Sequence, residues 1–373
     1  MVAKKLSILF LFVLCFNCTP PEVKKPIKET QATKPANVIL LIGDGMGLTQ
    51  LSSSFYFGTT KPNFSRFKSI GLSNVIAANS KITDSASGAT AFASGIKTYN
   101  GAIGVDMDKI QVETIVEVLS KEGYATGLIS TSSITHATPA SFYAHVENRN
   151  QEEAIAAQMS TSTIDFFAGG GLKFFQKRKD GTNLLTALTS NGFIVNTTEL
   201  SSSLEVDKKY GFLLADEGMP KMIEGRGPFL SEATQLALNY FELQEKPFFL
   251  MIESSQIDWG GHDNKADYLI KEVLDFDDVI GKVLDFAEER GNTLVIVTAD
   301  HETGGFSLSP EVIGKNPKGE DIHDYNRIHP TFSTSGHSAT LIPVLAFGPQ
   351  SELFIGFYEN NDIYYKMRAA LGK

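Results

Sequence analysis

Cysteine is almost missing from this chain: of 373 residues only Cys15 and Cys18 are cysteines, and both stand near the start. Everything beyond them folds without a disulfide, even in a compartment that permits one. A broad positive field is missing too. With 33 Lys and Arg against 43 Asp and Glu, the formal charge is −10, which argues against non-specific nucleic-acid binding and leaves nucleic acid an unexpected partner. No early apolar run is long enough to span a bilayer, since Leu6 to Phe16 gives only 11 residues. That is the length of a secretory h-region, and Lys4 and Lys5 precede it. Internal repeats are absent. What is present, 42% hydrophobic and 20% charged residues, suffices for one large α/β core with at most a small appended subdomain.

Residues 1–17 therefore read as a signal peptide, which predicts export to the periplasm, the outer membrane or the cell surface. Asn17-Cys18-Thr19 allows two readings: a lipoprotein cleavage site that anchors the chain to a membrane through lipidated Cys18, or ordinary signal cleavage nearby. Residues 18–36 carry Pro20, Pro21, Pro26 and Pro35 among Lys, Glu, Thr and Gln. Such a stretch cannot bury enough surface to fold and reads as a tether. The folded domain is expected over 37–373.

That domain opens on Asn37-Val38-Ile39-Leu40-Leu41-Ile42-Gly43, a continuous apolar run ended by glycine, the pattern of a fully buried parallel strand. Residues 125–130, 248–253, 293–298 and 341–347 repeat it, with helical periodicities near 112–122, 151–160, 231–243, 264–289 and 360–371. Alternation of this kind predicts a mostly parallel central sheet with helices on both faces, and a ligand site beyond the carboxyl ends of its strands. The interval from Gly304 to Ser335, with Pro310, Asn316, Pro317 and Gly319, reads as loops.

Acids and histidines collect at those strand ends. Asp44 follows the first strand in Gly43-Asp44-Gly45-Met46-Gly47, which is not the spacing of a dinucleotide fingerprint; it suits a metal ligand or a helix cap. Glu253 ends another strand, and Asp258 and His262 follow at i, i+4 spacing, one face of a helical turn. Asp300 and His301 end a further strand, and His337 stands before the last. Oxygen and imidazole donors in this mixture suit two zinc ions and one magnesium ion. The small-residue run Thr83-Asp84-Ser85-Ala86-Ser87-Gly88-Ala89-Thr90-Ala91 reads either as a tight turn into a packed helix or as a helix N-terminus holding an anion on Ser85.

With these motifs in view, the chain resembles the alkaline phosphatases over its whole folded part. The matching stretches come in family order: Ile42 to Gly47, Thr83 to Ala86, Thr138-Pro139-Ala140, His145-Val146-Glu147-Asn148-Arg149, Glu253 through Asp258 to His262, Thr298 to His301, and Gly336-His337. The resemblance implies a three-layer α/β sandwich with a reduced crown subdomain, and hydrolysis of phosphate monoesters through a phosphoserine at Ser85. It implies Asp258, His262 and His337 as ligands of one zinc, and Asp44, Asp300 and His301 as ligands of the second. Asp44, Thr138 and Glu253 would hold magnesium, and Arg149 would clamp the phosphate. Asp84 is left a positioning role beside the nucleophile. Family members are commonly homodimers. Two positions depart from the best-known bacterial pattern: His136 stands in place of an aspartate near the magnesium, and Trp259 in place of a lysine that reaches the phosphate. The third ion is therefore expected to bind more weakly and phosphate to leave more easily. Related phosphodiesterases and sulfatases, and a catalytically silent phosphate- or metal-binding lipoprotein, are the rival readings.

Overall fold

The computed structural model describes residues 34–201 and 203–373. The expected signal peptide, Cys18 and most of the tether lie outside these residues. Pro35 is already buried and the Ala36 N–H donates to the Asn292 carbonyl at 2.8 Å, so the fold takes hold of the chain just before its first strand.

The strands, in chain order, are β1 (Asn37–Gly43), β2 (Ser69–Asn74), β3 (Ala125–Ser133), β4 (Phe166–Gly170), β5 (Phe193–Asn196), β6 (Lys209–Leu213), β7 (Phe248–Ser254), β8 (Thr293–Thr298), β9 (Glu302–Thr303), β10 (Ser307–Lys315), β11 (Asp321–Thr331), β12 (His337–Ser338), β13 (Ile342–Phe347) and β14 (Gly356–Glu359). Ten of them form one sheet in the order β14-β2-β13-β8-β1-β7-β3-β4-β6-β5. Only β13 runs against its neighbours, pairing antiparallel with both β2 and β8. The remaining pairings are parallel, as the alternation of strands and helices requires.

Because side chains alternate across a strand, the all-apolar β1 feeds two cores at once. Ile39 and Leu41 pack with Leu250, Ile252, Val295 and Val297 under the helices Phe229–Gln244 and Ala266–Arg290. Val38, Leu40 and Ile42 pack on the other face with Phe249, Met251 and Ile296 under the helices Ser85–Ser94, Ile115–Lys121 and Asp362–Ala370. Each such side chain, fully buried, contributes about 1.5–3 kcal/mol. The three-layer arrangement follows directly.

One expectation is corrected. The interval after Gly304 is not loop but a two-stranded antiparallel ribbon, β10 on β11, with bulges at Pro310/Glu311 and Val312/Gly314. Both faces of its outer part meet water, with Val312, Ile313, Ile322 and Tyr325 all exposed. It consequently lacks the apolar-polar alternation by which a half-buried strand is recognised.

Candidate active site

Parallel register brings the chemistry together. Ile42 lies beside Glu253 and beside Thr298, and Ser130 lies beside Glu253 on the other side. The carboxyl ends of β1, β3, β7 and β8 therefore open onto one spot, where Asp44, Glu253, Asp300 and His301 are all buried. Directly after β7 the helix Gln256–His262 presents Asp258 and His262 on one face, with His262 Nε2 3.3 Å from Asp258 Oδ1. The short strand pair β12–β9 sets His337 opposite Thr303 and brings its Nε2 to 3.2 Å from His262 Nε2 and 3.6 Å from Asp258 Oδ1. The ring orientations are fixed from behind, by the Thr83 carbonyl on His337 Nδ1 at 2.8 Å and the Ser335 carbonyl on His262 Nδ1 at 2.6 Å.

Three donor groups result, each with one ligand atom per residue and all atoms within 4.8 Å: Asp258, His262 and His337; Asp44, Asp258 and His301; and Asp44, His136 and Glu253. Asp258 thus belongs to two groups. Asp300 stands close to the second, its Oδ2 3.4 Å from His301 Nε2, while Asp44 Oδ1 is 3.5 Å from the same nitrogen. His136, expected outside the ligand set, comes nearer to Asp44 and Glu253 than the sequence implied.

The polar atoms facing this spot are short of partners. Both oxygens of Asp44, Glu253 Oε1, Asp300 Oδ2, Thr138 Oγ1 and His136 Nδ1 are buried without a hydrogen bond. Such atoms normally cost free energy unless something satisfies them. Burial, reinforced by neighbouring acids, pushes Asp44 well above the carboxylate range, Glu253 up to about 7 and Asp300 up to about 6. Burial acts the same way on Asp258, but its hydrogen bond with His262 and the charges of the histidines hold its carboxyl well below the usual value. Burial and Arg149 depress the His136 ring to about 3, which leaves it neutral. Buried oxygens and a neutral His136 nitrogen without donors fit divalent cations, so these donor groups could hold metal ions.

Ser85 is the first residue of the helix Ser85–Ser94, and its Oγ lies 3.2 Å from His301 Nε2. Asp84 caps that helix, accepting from the Ser87 N–H at 3.0 Å. The same carboxylate accepts from Arg149 Nη1 at 3.0 Å and from the Gly101 N–H at 3.1 Å. Although burial opposes it, the guanidinium and the backbone donors keep the Asp84 carboxyl below its ordinary value. Arg149 therefore pairs with the residue that caps the Ser85 helix and not with the acids of its own charged run. Its other arm lies 3.3 Å from His136 Nε2, and the His136 ring meets Trp259 edge-on at a centroid distance of 6.0 Å. Small residues along the helix permit close seating: a Cβ on Gly88 would come within 3.0 Å of Asp300 Cβ.

Several contributors escaped the sequence reading. The Thr303 hydroxyl donates to Asp258 Oδ1 at 2.5 Å and lies 3.2 Å from His301 Nδ1. Ser130 donates to Glu253 Oε2 at 2.5 Å, with Ser132 3.4 Å from the same oxygen. The signal was there, in a run of hydroxyl residues, Ser130-Thr131-Ser132-Ser133, at the carboxyl end of a buried strand.

Comparison with known proteins decides the family: the family model described as alkaline phosphatase matches residues 35–328. The chain belongs to the alkaline phosphatase family. It is 31% identical to alkaline phosphatase 3 of Bacillus subtilis (strain 168), over 98% of this chain and 95% of that one. It is 29% identical to the alkaline phosphatase of Escherichia coli (strain K12), over 93% and 88%. Among solved structures, the alkaline phosphatase from the Antarctic bacterium TAB5 superposes with a TM-score of 0.88 at 55% identity, covering 92% of this chain and 99% of that one. A histidine-to-aspartate variant of the TAB5 enzyme, with Mg bound in its M3 site, gives 0.89 at 56%, with coverage of 92% and 99%. As an alkaline phosphatase family member the chain is a hydrolase of phosphate monoesters.

Proposed function

We propose that this phosphatase works by two successive displacements through a phosphoserine at Ser85. The observation that carries the reading is the Ser85 hydroxyl, set at a helix N-terminus against a cluster of acids whose oxygens lack donors. Ser85 Oγ attacks phosphorus in line; its bond to phosphorus forms as the bond to the ester oxygen breaks, and the alcohol leaves with a proton. Water then displaces the serine oxygen, releasing inorganic phosphate and restoring Ser85. Arg149, held by Asp84, offers its planar fork to two phosphate oxygens, which favours monoesters over diesters because only monoesters leave enough oxygens free. The helix N-terminus adds its positive dipole end to the same anion.

Asp258, His262 and His337 would hold one zinc; Asp44, Asp300 and His301, with Asp258 alongside, a second; Asp44, Thr138 and Glu253, with His136 close by, a magnesium. When bound, these ions supply Lewis acidity that lowers the charge on the attacking and leaving oxygens. An imidazole at the third position suits magnesium less well than oxygen does. The TAB5 variants with Mg bound in the M3 site carry aspartate or glutamate for a histidine, which supports a weaker third site here.

Export by the N-terminal signal, anchoring through lipidated Cys18 and homodimer formation complete the proposal. Exposed Phe55 and Tyr56 on the helix Leu48–Phe57 support a contact between copies, read by light scattering on the purified domain. The mechanism is tested on an aryl phosphate at alkaline pH. Hydrolysis lost in Ser85→Ala and under chelation, together with a phosphorylated Ser85 in acid-quenched wild type, is the expected result; undiminished hydrolysis by Ser85→Ala overturns it.

A further inference from the structure

The segment Gly101–Gly104 touches both halves of the phosphate site. The Gly101 N–H donates to Asp84, while the Gly101 carbonyl accepts from the Arg149 N–H at 2.8 Å. Two residues on, Ile103 and Val146 exchange backbone hydrogen bonds at 3.0 and 2.9 Å. This short antiparallel splint sets where residue 149 starts relative to residue 84. Gly104, at φ +58°, has no room for a side chain: a Cβ would lie 2.2 Å from the Ala144 carbonyl oxygen and 2.7 Å from His145 Nδ1.

His145 closes the back of the splint. Its Nδ1 lies 2.7 Å from the Gly104 carbonyl oxygen and its Nε2 3.1 Å from Glu117 Oε1. Both partners are acceptors, and a neutral imidazole has a single N–H; satisfying both requires the imidazolium. The surroundings are equally fixed. Glu117 also accepts from the Thr114 N–H at 2.8 Å, in the capping box of the helix Ile115–Lys121. From the helix Glu152–Met159, Gln158 accepts from the His145 N–H at 2.8 Å and donates to its carbonyl at 3.1 Å. Tyr143, whose hydroxyl donates to the Ile134 carbonyl, lines the same cavity of about 180 Å³. Glu117 is thus the charged group facing the ring, with Tyr143 the other titratable one.

We propose that His145 is a positioning residue for the phosphate clamp: as an imidazolium it ties Gly104 to Glu117 and so holds Arg149 in register with Asp84. The proposal rests on the reading that Arg149 binds phosphate. Loss of the proton leaves one acceptor facing a lone pair, which frees one end of the splint. Burial favours that loss, but the Glu117 hydrogen bond and the Gly104 carbonyl outweigh it and raise the His145 pKa. The clamp is accordingly intact below that pKa and loosens as pH rises through it.

The test is phosphate inhibition and KM against kcat for zinc-replete wild type, His145→Gln and Glu117→Gln, from about pH 6 to about pH 10. Wild type should show phosphate affinity falling on the order of tenfold across one transition above the ordinary histidine value, the scale of a single good hydrogen bond. His145→Gln should lack the transition and show weak phosphate binding throughout, its loss appearing in KM at unchanged zinc content. Glu117→Gln, which keeps the acceptor and removes the charge, should move the transition to lower pH. Wild-type affinity and an unchanged transition in His145→Gln overturn the proposal, as does an unmoved transition in Glu117→Gln. Nitrogen NMR of wild type reads the ring directly, without reference to turnover. Two imidazole N–H signals from His145 near pH 7 support the imidazolium tie between Gly104 and Glu117 independently of whether Arg149 binds phosphate, and a neutral ring overturns the proposal.

Discussion

Two groups of buried acids in this protein are treated differently. Within the helix Ala266–Arg290, Glu272 and Asp275 share one cation: Arg226 Nη2 donates to Glu272 at 2.6 Å and to Asp275 at 2.8 Å, and the Met222 N–H donates to Glu272 at 2.8 Å. At the strand ends, Asp44, Glu253 and Asp300 have oxygens with no donor at all. The first group carries its counter-charge in its own sequence. The second has no such partner and could take its counter-charge only from outside, which distinguishes a structural ion cluster from a candidate metal centre in physical terms.

Removing cations attacks the difference most strongly. Exhaustive chelation is expected to abolish hydrolysis and lower the melting temperature, with zinc restoring both; saturation at about 1,000 times the dissociation constant contributes about 4 kcal/mol. A melting temperature indifferent to chelator would show the strand-end acids to be as self-sufficient as the Arg226 group. Next in size, Arg226→Met strands two acids and should cost about 3–5 kcal/mol in denaturant melts, with kcat/KM unchanged where the protein remains folded. Replacing all three partners by apolar residues should recover most of that loss.

The pH dependence of the metal-free protein sharpens the contrast. Glu253, raised from 4.5 to about 7, keeps a proton in the fold that the unfolded chain has already released over that interval. Stability of the apo form should therefore fall as pH rises from about 4.5 to about 7. His262, raised from 6.5 to about 9, extends the fall on the alkaline side, since its contribution is complete below 6.5 and lost through 9. Asp258, depressed below its model-peptide value of 3.8, acts only at more acid pH. With metals bound the fall should vanish; a metal-free curve that rises across the interval would contradict it. The smallest expected effect is at Trp259, where Trp259→Lys should lower the phosphate inhibition constant several-fold by adding a cation near Arg149, about the worth of one partly screened charge. An unchanged constant would remove the link between this position and product release.

Much of the sheet and most candidate ligands were legible because burial on both faces forces long apolar runs, and because strand ends place the next residue predictably. Asp44, Glu253, Asp300 and His301 all follow such runs. The strands β2 and β14 are rich in Ser, Gly or exposed positions, and β4, β5 and β6 have only four or five residues, so none carries a long apolar run to read. The β10–β11 ribbon was missed because water on both faces erases its pattern. Pairings across long sequence distances, such as Asp84 with Arg149 and Thr303 with Asp258, are set by packing and leave no local trace. The nearness of His136 to Asp44 and Glu253 belongs to the same class.

The fit of Gly88 against Asp300 has a mechanical consequence. Helix and strand end meet with no room for a side chain between them, which seats Ser85 and His301 directly on the central sheet. Arg149 instead hangs on a loop held by hydrogen bonds to Gly101 and Asp84. On the proposed mechanism, this division into a tightly seated half and a hydrogen-bonded half would place the adjustment needed to admit and release phosphate on the guanidinium side and leave the Ser85 oxygen where it stands.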